Sequence, residues 1–208
     1  KDADYLLIAD TGSTDETYEI AKSLGINVYK ISISPWRFDD ARNAALALIP
    51  EDVDYCISLD LDEVLSDGWR EEMNKLAPGV TRPIHKLVTH IDEFGNPGLE
   101  FEALRMHSRA GYRWKYPIHE SISNYGVDEN KQTIDVKIYH HPDNTKSRGQ
   151  YLPLLEMAAK EDLQSKVCKL NIDLKRYGLV AWTAGNVSER MPDGKTFMNV
   201  ASRTGWLQ

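Results

Sequence analysis

The sequence predicts an α/β fold with a mostly parallel central sheet, and three observations predict it. Short apolar runs of the buried-strand type alternate with amphipathic helical segments as far as about residue 77. No hairpin turn signal separates these units, so consecutive strands need crossover connections and run parallel. With 208 residues the chain is long enough to bury one substantial core. The expected organisation is a single domain with two halves, residues 1–77 and residues 78–208, the second half carrying the C-terminal helices.

The elements follow in order. "YLLIA" (5–9) is a buried-type strand, and "DTGSTDET" (10–17) is the loop that leaves it. "YEIAKSLG" (18–25) suits a helix, with Tyr18, Ile20, Ala21 and Leu24 on one side and Gly25 closing it. "INVYKI" (26–31) is a second strand, "DDARNAALALI" (39–49) a helix running to Pro50, and "DYCISL" (54–59) a third strand. After Pro78 the pattern changes. "TRPIHKLVTHID" (81–92), "LEFEALRMHSR" (99–109) and "TIDVKIYHH" (133–141) read as strands separated by the turn clusters "EFGNPG" and "NYGVDEN". These predict antiparallel additions to the same sheet. Residues 150–178 read as one or two helices, and residues 184–208 carry little pattern.

Charge and cysteine content exclude several classes. Against 25 basic residues stand 32 acidic ones, a net charge of −7, which argues against a surface that coats nucleic acid while leaving room for a local phosphate site. Two cysteines are too few for a disulfide framework, and Cys56 lies inside an apolar run, as a buried thiol in a cytoplasmic protein does. No apolar window approaches the roughly 18 residues of a membrane span, so the expectation is a soluble, cytoplasmic protein.

Two loops carry chemistry. "DTGSTDET" joins a strand end to a helix start, where open α/β sheets bind ligands and where the helix offers unpaired N–H groups. Gly12 permits a tight turn and Asp10 can accept hydrogen bonds. Ser13 followed by Glu16 also fits a capping box, which would account for much of the motif without any ligand. The second loop ends the run "YCISLDLDEVL" (55–65), where Asp60, Asp62 and Glu63 close an apolar stretch. In an extended chain residues two apart face the same way, so Asp60 and Asp62 could meet one hard cation such as Mg2+ or Mn2+. The alternative is a solvated turn with Asp62 or Ser66 capping the helix at "DGWREEMNKL" (67–76). From the residues alone, Arg42 reads as a helix-surface side chain paired with Asp39.

The ordered set "DTGSTDET", "WRFDDARNAAL", "SLDLDEVL", "YPIHESI" and "IYHH" resembles the GT-A glycosyltransferases of the family-2-like type, over roughly residues 3 to 165. That resemblance implies a GT-A, Rossmann-like three-layer fold with a nucleotide-binding half (1–77) and an acceptor-side half (78–208). It implies transfer of a sugar, with inversion, from a nucleotide-sugar donor, UDP-sugar favoured, to a glycan, glycoprotein or other hydroxyl acceptor, with Mn2+ or Mg2+ as cofactor. It places Asp10, Gly12, Ser13, Asp15, Arg42, Asn43 and Asp60 at the donor, with Lys146 and Arg148 closing over the diphosphate. Asp60 and Asp62 become the DxD pair, and His140 completes the metal set. Glu120 is implied as the base that takes the acceptor proton, with Asp143 and Asp92 behind it, and Trp114 and His119 stand on the acceptor side. The family also has a strand, expected upstream of Lys1, whose loop flanks the nucleobase, and an acidic residue is frequent where Arg37 stands. The rival readings are a degenerate nucleotide-sugar-binding module and a sugar-phosphate nucleotidyltransferase; the Gly-rich basic signature expected of the latter is not seen near the N-terminus.

Overall fold

The computed structural model describes residues 2–92, 94–142, 151–176, 186–190 and 197–201. The chain divides into two compact units, Lys1–Ser147 and Arg148–Gln208.

The first unit begins as expected. Strand β1 (Leu7–Asp10) is followed by helix α1 (Thr17–Ser23) and by β2 (Asn27–Lys30), which pairs with β1 in parallel, Leu7 opposite Asn27. Helix α2 (Phe38–Ala47) and strand β3 (Tyr55–Ile57) come next, then a short β4 (Glu63–Leu65) and helix α3 (Trp69–Asn74). The second half supplies β5 (Arg82–Val88), β6 (Glu100–Ala103), β7 (Met106–Ser108), β8 (Tyr112–Lys115), β9 (Ser121–Asn124) and the long β10 (Lys131–His140).

The protein is α/β, but its described strands form one mixed four-stranded sheet and several two-stranded ones rather than one mostly parallel sheet. The largest has the order β4-β10-β5-β6; in it β10 runs parallel to β5, while β4 and β6 are antiparallel to their neighbours. The expectation of purely antiparallel additions after Pro78 is corrected by that β5–β10 pairing. Strand β3 does not join β1. It pairs antiparallel with β7, a strand from the second half, with Cys56 opposite His107. The predicted strand over 99–109 is two strands broken at Leu104 and Arg105, and β8 and β9 form an antiparallel hairpin pair.

The core sits where β10 crosses α3. Ile134, Val136 and Ile138 alternate inward along β10, as a period of two requires, and pack with Met106, Trp69 and Met73. A smaller cluster of Tyr112, Trp114 and Ile122 fills the β8–β9 hairpin. Two histidines are fully buried, His85 on β5 and His107 on β7. Neither ring nitrogen of His85, nor Nε2 of His107, finds a hydrogen-bond partner among the described residues. Burial, with the Arg105 charge behind it, pushes His85 down to about 4. His107 is also pushed down to about 4 by burial, against the Ser108 carbonyl that its ring contacts and with the Arg82 and Arg109 charges helping.

In the second unit, helix α4 (Tyr151–Arg176) packs with an antiparallel pair, β11 (Asn186–Arg190) and β12 (Phe197–Ala201). The single helix settles the choice between one and two, and the strand pair lies in a stretch whose sequence showed little pattern. No helix among the described residues is long and apolar enough to cross a membrane.

Candidate active site

Arg42, on α2, is the centre of the site. Its Nη2 donates to Asp60 Oδ1 at 2.6 Å and its Nε donates to Glu120 Oε1 at 2.6 Å. Its guanidinium lies 4.8 Å from the centre of the Trp114 ring. One planar fork therefore ties the acidic end of the third strand to the connection between β8 and β9. Burial works against the Arg42 charge, but Asp60 and Glu120 outweigh it and hold its pKa above the ordinary value. Asp39, the partner that the residues alone suggested, is instead gripped by Arg37 through two hydrogen bonds, Nε to Oδ1 at 3.1 Å and Nη2 to Oδ2 at 2.8 Å.

The neighbour of Arg42 on the helix fixes the same junction. Asn43 Nδ2 donates to the Trp114 carbonyl and the Trp114 N–H donates back to Asn43 Oδ1, both at 2.9 Å. A side-chain amide bonded both ways to one residue of β8 sets α2 against the hairpin. Glu120 follows a connection in which Tyr116 and His119 have φ of 81° and 52°. Left-handed backbone at a non-glycine residue costs about 1–3 kcal/mol and persists only where surroundings impose it. Pro117 and Ile118 supply that constraint by burial, and the Pro117 carbonyl accepts from Phe38 N–H at the start of α2.

The carboxylates that close the third strand are accounted for by a second arginine, one that sequence reasoning missed. Arg105, at the break between β6 and β7, donates from Nη1 to Asp60 Oδ2 at 3.0 Å and to Glu63 Oε2 at 2.9 Å. Glu63 also accepts the Asp60 N–H at 2.9 Å. Burial would raise the Asp60 pKa, but Arg42 and Arg105 overcome it and hold the carboxyl below the usual range. For Glu63, burial prevails over the Asp60 N–H and the Arg105 charge, and its pKa is raised. The available signal was an arginine, Arg105, in the middle of the strand-like stretch "LEFEALRMHSR".

Asp60 and Asp62 take different partners. The strand stops at Ile57 and the chain turns at 60–63, the Glu63 N–H donating to the Asp60 carbonyl at 3.0 Å. Asp60 consequently faces the arginines while Asp62 faces His140, whose Nε2 lies 3.3 Å from Asp62 Oδ2. The pairing of β10 with β4, His140 opposite Glu63, creates this meeting, and His141 N–H donates to the Asp62 carbonyl at 2.7 Å. Among the described residues no group of three or more His, Cys, Asp or Glu is placed to hold a metal ion. The Asp62–His140 pair nevertheless fits part of a shell. It offers one carboxylate oxygen and one imidazole nitrogen, both partly exposed, close to the roughly 3 Å that separates adjacent ligands of a six-coordinate ion.

The first loop is built differently from the expectation of a capping box. Asp10, buried at the end of β1, accepts from Gly12 N–H at 3.2 Å and Ser13 N–H at 2.8 Å through Oδ1. The Ser13 N–H and hydroxyl hold the Asp10 carboxyl below its usual range. Helix α1 starts only at Thr17, whose N–H is taken by Asp15 Oδ1 at 3.0 Å, so Ser13 lies too far upstream to cap it. Gly12 adopts φ of 113°, which an L side chain would resist, and the tip is exposed. Among the described residues, no hydrogen bond or ion pair joins this loop to the Arg42 cluster.

The remaining candidates separate. His119 is exposed beside Glu120. Asp92 is committed to its own turn, accepting from Phe94 N–H at 2.9 Å and Asn96 N–H at 2.7 Å. Asp143, Lys146 and Arg148 lie outside the described residues. Beside Glu120 opens a cleft of about 340 Å³ that reaches Arg105, Trp114 and Ile122.

No curated protein matches the chain. Residues 2–79 match the model of Glycosyl transferase family 2. The matched stretch holds the Asp10 loop, Arg42, Asn43 and Asp60 to Glu63; Arg105, Glu120 and His140 lie beyond it. The match over residues 2–79, the stretch that contributes Arg42 and Asp60 to the cluster, indicates a glycosyltransferase.

Proposed function

We propose that the protein moves a sugar from a nucleoside-diphosphate donor, a UDP-sugar in the first instance, to a hydroxyl acceptor, with inversion at the anomeric carbon. The observation that carries this reading is the bond of Arg42 to both Asp60 and Glu120, which brings the donor-side motif and the acceptor-side carboxylate into one assembly. In the inverting step the acceptor hydroxyl loses its proton to Glu120 while its oxygen bonds to the anomeric carbon. The bond from that carbon to the diphosphate oxygen breaks, and the electron pair leaves with the nucleoside diphosphate. Arg42 orients Glu120 through Oε1; among the described residues no hydrogen bond reaches Oε2, which is free to meet the hydroxyl.

Asp62 and His140 would hold Mn2+ or Mg2+ together with donor phosphate oxygens, and such an ion supplies positive charge for the departing diphosphate. Asp10 to Asp15 would receive the nucleoside through the exposed backbone at Gly12 and Ser13. Arg42 and Arg105 would keep Asp60 ionised and fixed beside the donor. The acceptor is a glycan, a glycoprotein or another hydroxyl compound. The buried free thiol of Cys56 supports a reducing, cytoplasmic setting.

Calorimetric titration of UDP, GDP and CDP with and without Mn2+ tests this reading. Binding of one nucleotide that requires Mn2+ is the expected result. Absence of binding for all three under both conditions would overturn it. Release of free UDP rather than pyrophosphate during turnover separates glycosyl transfer from nucleotidyl transfer.

A further inference from the structure

The cleft beside Glu120 has a chemistry that narrows the acceptor. Its charged side is defined by connection: Glu120 and Arg105 are both tied to Asp60, the first through Arg42 and the second directly. Ser121 and Glu102 add polar groups, but Leu87, Phe101, Leu104 and Ile122 make much of the remaining lining apolar. Phe101 and Leu104 line the cleft and are 49% and 39% exposed, so both carry apolar surface that a ligand could cover. Phe101 lies on edge strand β6, and Leu104 lies at the break between β6 and β7, next to Arg105 in sequence.

A site for an extended, fully hydroxylated oligosaccharide would need polar partners spread along its walls, since each buried hydroxyl left unpaired is costly. Here the wall away from the cluster offers few. The volume of about 340 Å³ lies at the low end of small-molecule pockets, room for one apolar ring and the hydroxyl-bearing group it carries rather than a chain of sugars.

We infer that this cleft takes an acceptor with an apolar, single-ring body, its reacting hydroxyl directed to Glu120 and its body against Phe101 and Leu104. The inference rests on the reading of Glu120 as the acceptor-side base. Burial of the exposed Phe101 and Leu104 surface supplies the affinity, and the charged side supplies orientation.

The test compares phenyl β-D-glucoside with methyl β-D-glucoside by calorimetry, the common sugar making the difference report the body alone. The phenyl compound is expected to bind at least tenfold tighter. Phe101→Ser and Leu104→Ser are each expected to erase most of that advantage, and urea melts of both variants check the fold. If one variant fails to fold, the other carries the comparison. Equal affinity for the two glucosides, no binding of either, or a preference unchanged in the folded variants overturns the inference. Tighter binding of a tyrosine-containing tetrapeptide than of phenyl glucoside also overturns it, in favour of a protein acceptor. The nucleotide titration on the same sample keeps the two readings apart. Mn2+-dependent UDP binding without a phenyl preference sinks only the cleft assignment. A phenyl preference without nucleotide binding sinks the donor reading and leaves an apolar-ligand pocket.

Discussion

Arg42 shows how one residue can be read from sequence in type and misread in role. Its position three residues after Asp39 in the "DDARN" run suggested a pairing with Asp39, yet the fork reaches Asp60 and Glu120, which lie 18 and 78 positions away. Distance along the chain hid both partners. Replacing Arg42 by Ala leaves two carboxylates facing each other with only Arg105 remaining on Asp60. Truncating one member of a buried ion pair costs about 3–5 kcal/mol, and the partial exposure of Asp60 reduces that to about 2–3 kcal/mol. Arg42→Lys should rescue little, because one ammonium cannot donate along both directions of the guanidinium plane. Urea denaturation of both variants measures this, and a wild-type midpoint for Arg42→Lys would show that charge alone suffices. Asp62 gives the opposite expectation. Its carboxylate is partly exposed and meets only His140 among the described residues, so Asp62→Ala should change stability by about 0.5 kcal/mol or less. Mn2+-dependent nucleotide binding should nevertheless be lost in the same variant. Retained Mn2+-dependent binding would remove Asp62 from the metal set. The sequence therefore revealed the charged residue types of the site; which carboxylate meets arginine and which meets histidine was set by the turn at 60–63, which an i, i+2 argument assumes away.

At the scale of elements, the first half was legible and the second was legible only as strands. Each segment from β1 to β3 carries its own period and its own stop signal, and local signals suffice to place it. Pairing is a different kind of information. Nothing in "DYCISL" or "LEFEALRMHSR" states that Cys56 lies opposite His107, or that the second segment breaks at Arg105 to allow it. The β8–β9 hairpin, which holds Trp114 and delivers Glu120, was likewise visible only as an aromatic-rich stretch. Its entry turn can be tested. Gly111 has φ of 81°, and a Cβ there would lie 2.3 Å from Val127 Cγ1. Gly111→Ala therefore meets both an unfavourable backbone region and an overlap with a side chain packed on the Tyr112–Trp114–Ile122 cluster. The expected loss is about 1–3 kcal/mol, a fall in melting temperature of several degrees. The site should weaken with it, since Asn43 and Trp114 share two hydrogen bonds across this junction. An unchanged melting temperature would mean that the turn relaxes without strain.

For the whole molecule, pH dependence follows from the two histidines buried in the core rather than from the site. His85 and His107 have no exposed surface, and burial is the largest influence that lowers both to about 4. In the unfolded chain each titrates near 6.5. The sign is fixed by that order: between about pH 6.5 and 4 the unfolded chain binds protons that the native state refuses, so stability is fully present above 6.5 and falls as the pH drops. Each histidine can account for up to about 3 kcal/mol over that interval, a large part of the stability of an ordinary domain. Asp60 adds a smaller loss at the acid end, where its lowered carboxyl finally protonates, whereas Glu63, whose carboxyl is raised, becomes less unfavourable to folding as it protonates. The histidine contribution can be isolated because neither ring nitrogen of His85 finds a hydrogen bond among the described residues. His85→Leu keeps an apolar side chain of similar bulk in that space and removes the titration, so it should be near neutral at pH 8. At pH 5 it should be more stable than the wild type by about 2 kcal/mol. Urea midpoints taken from pH 8 to 4.5 measure this directly. Parallel wild-type and His85→Leu curves would show that His85 keeps its ordinary affinity for a proton in the fold.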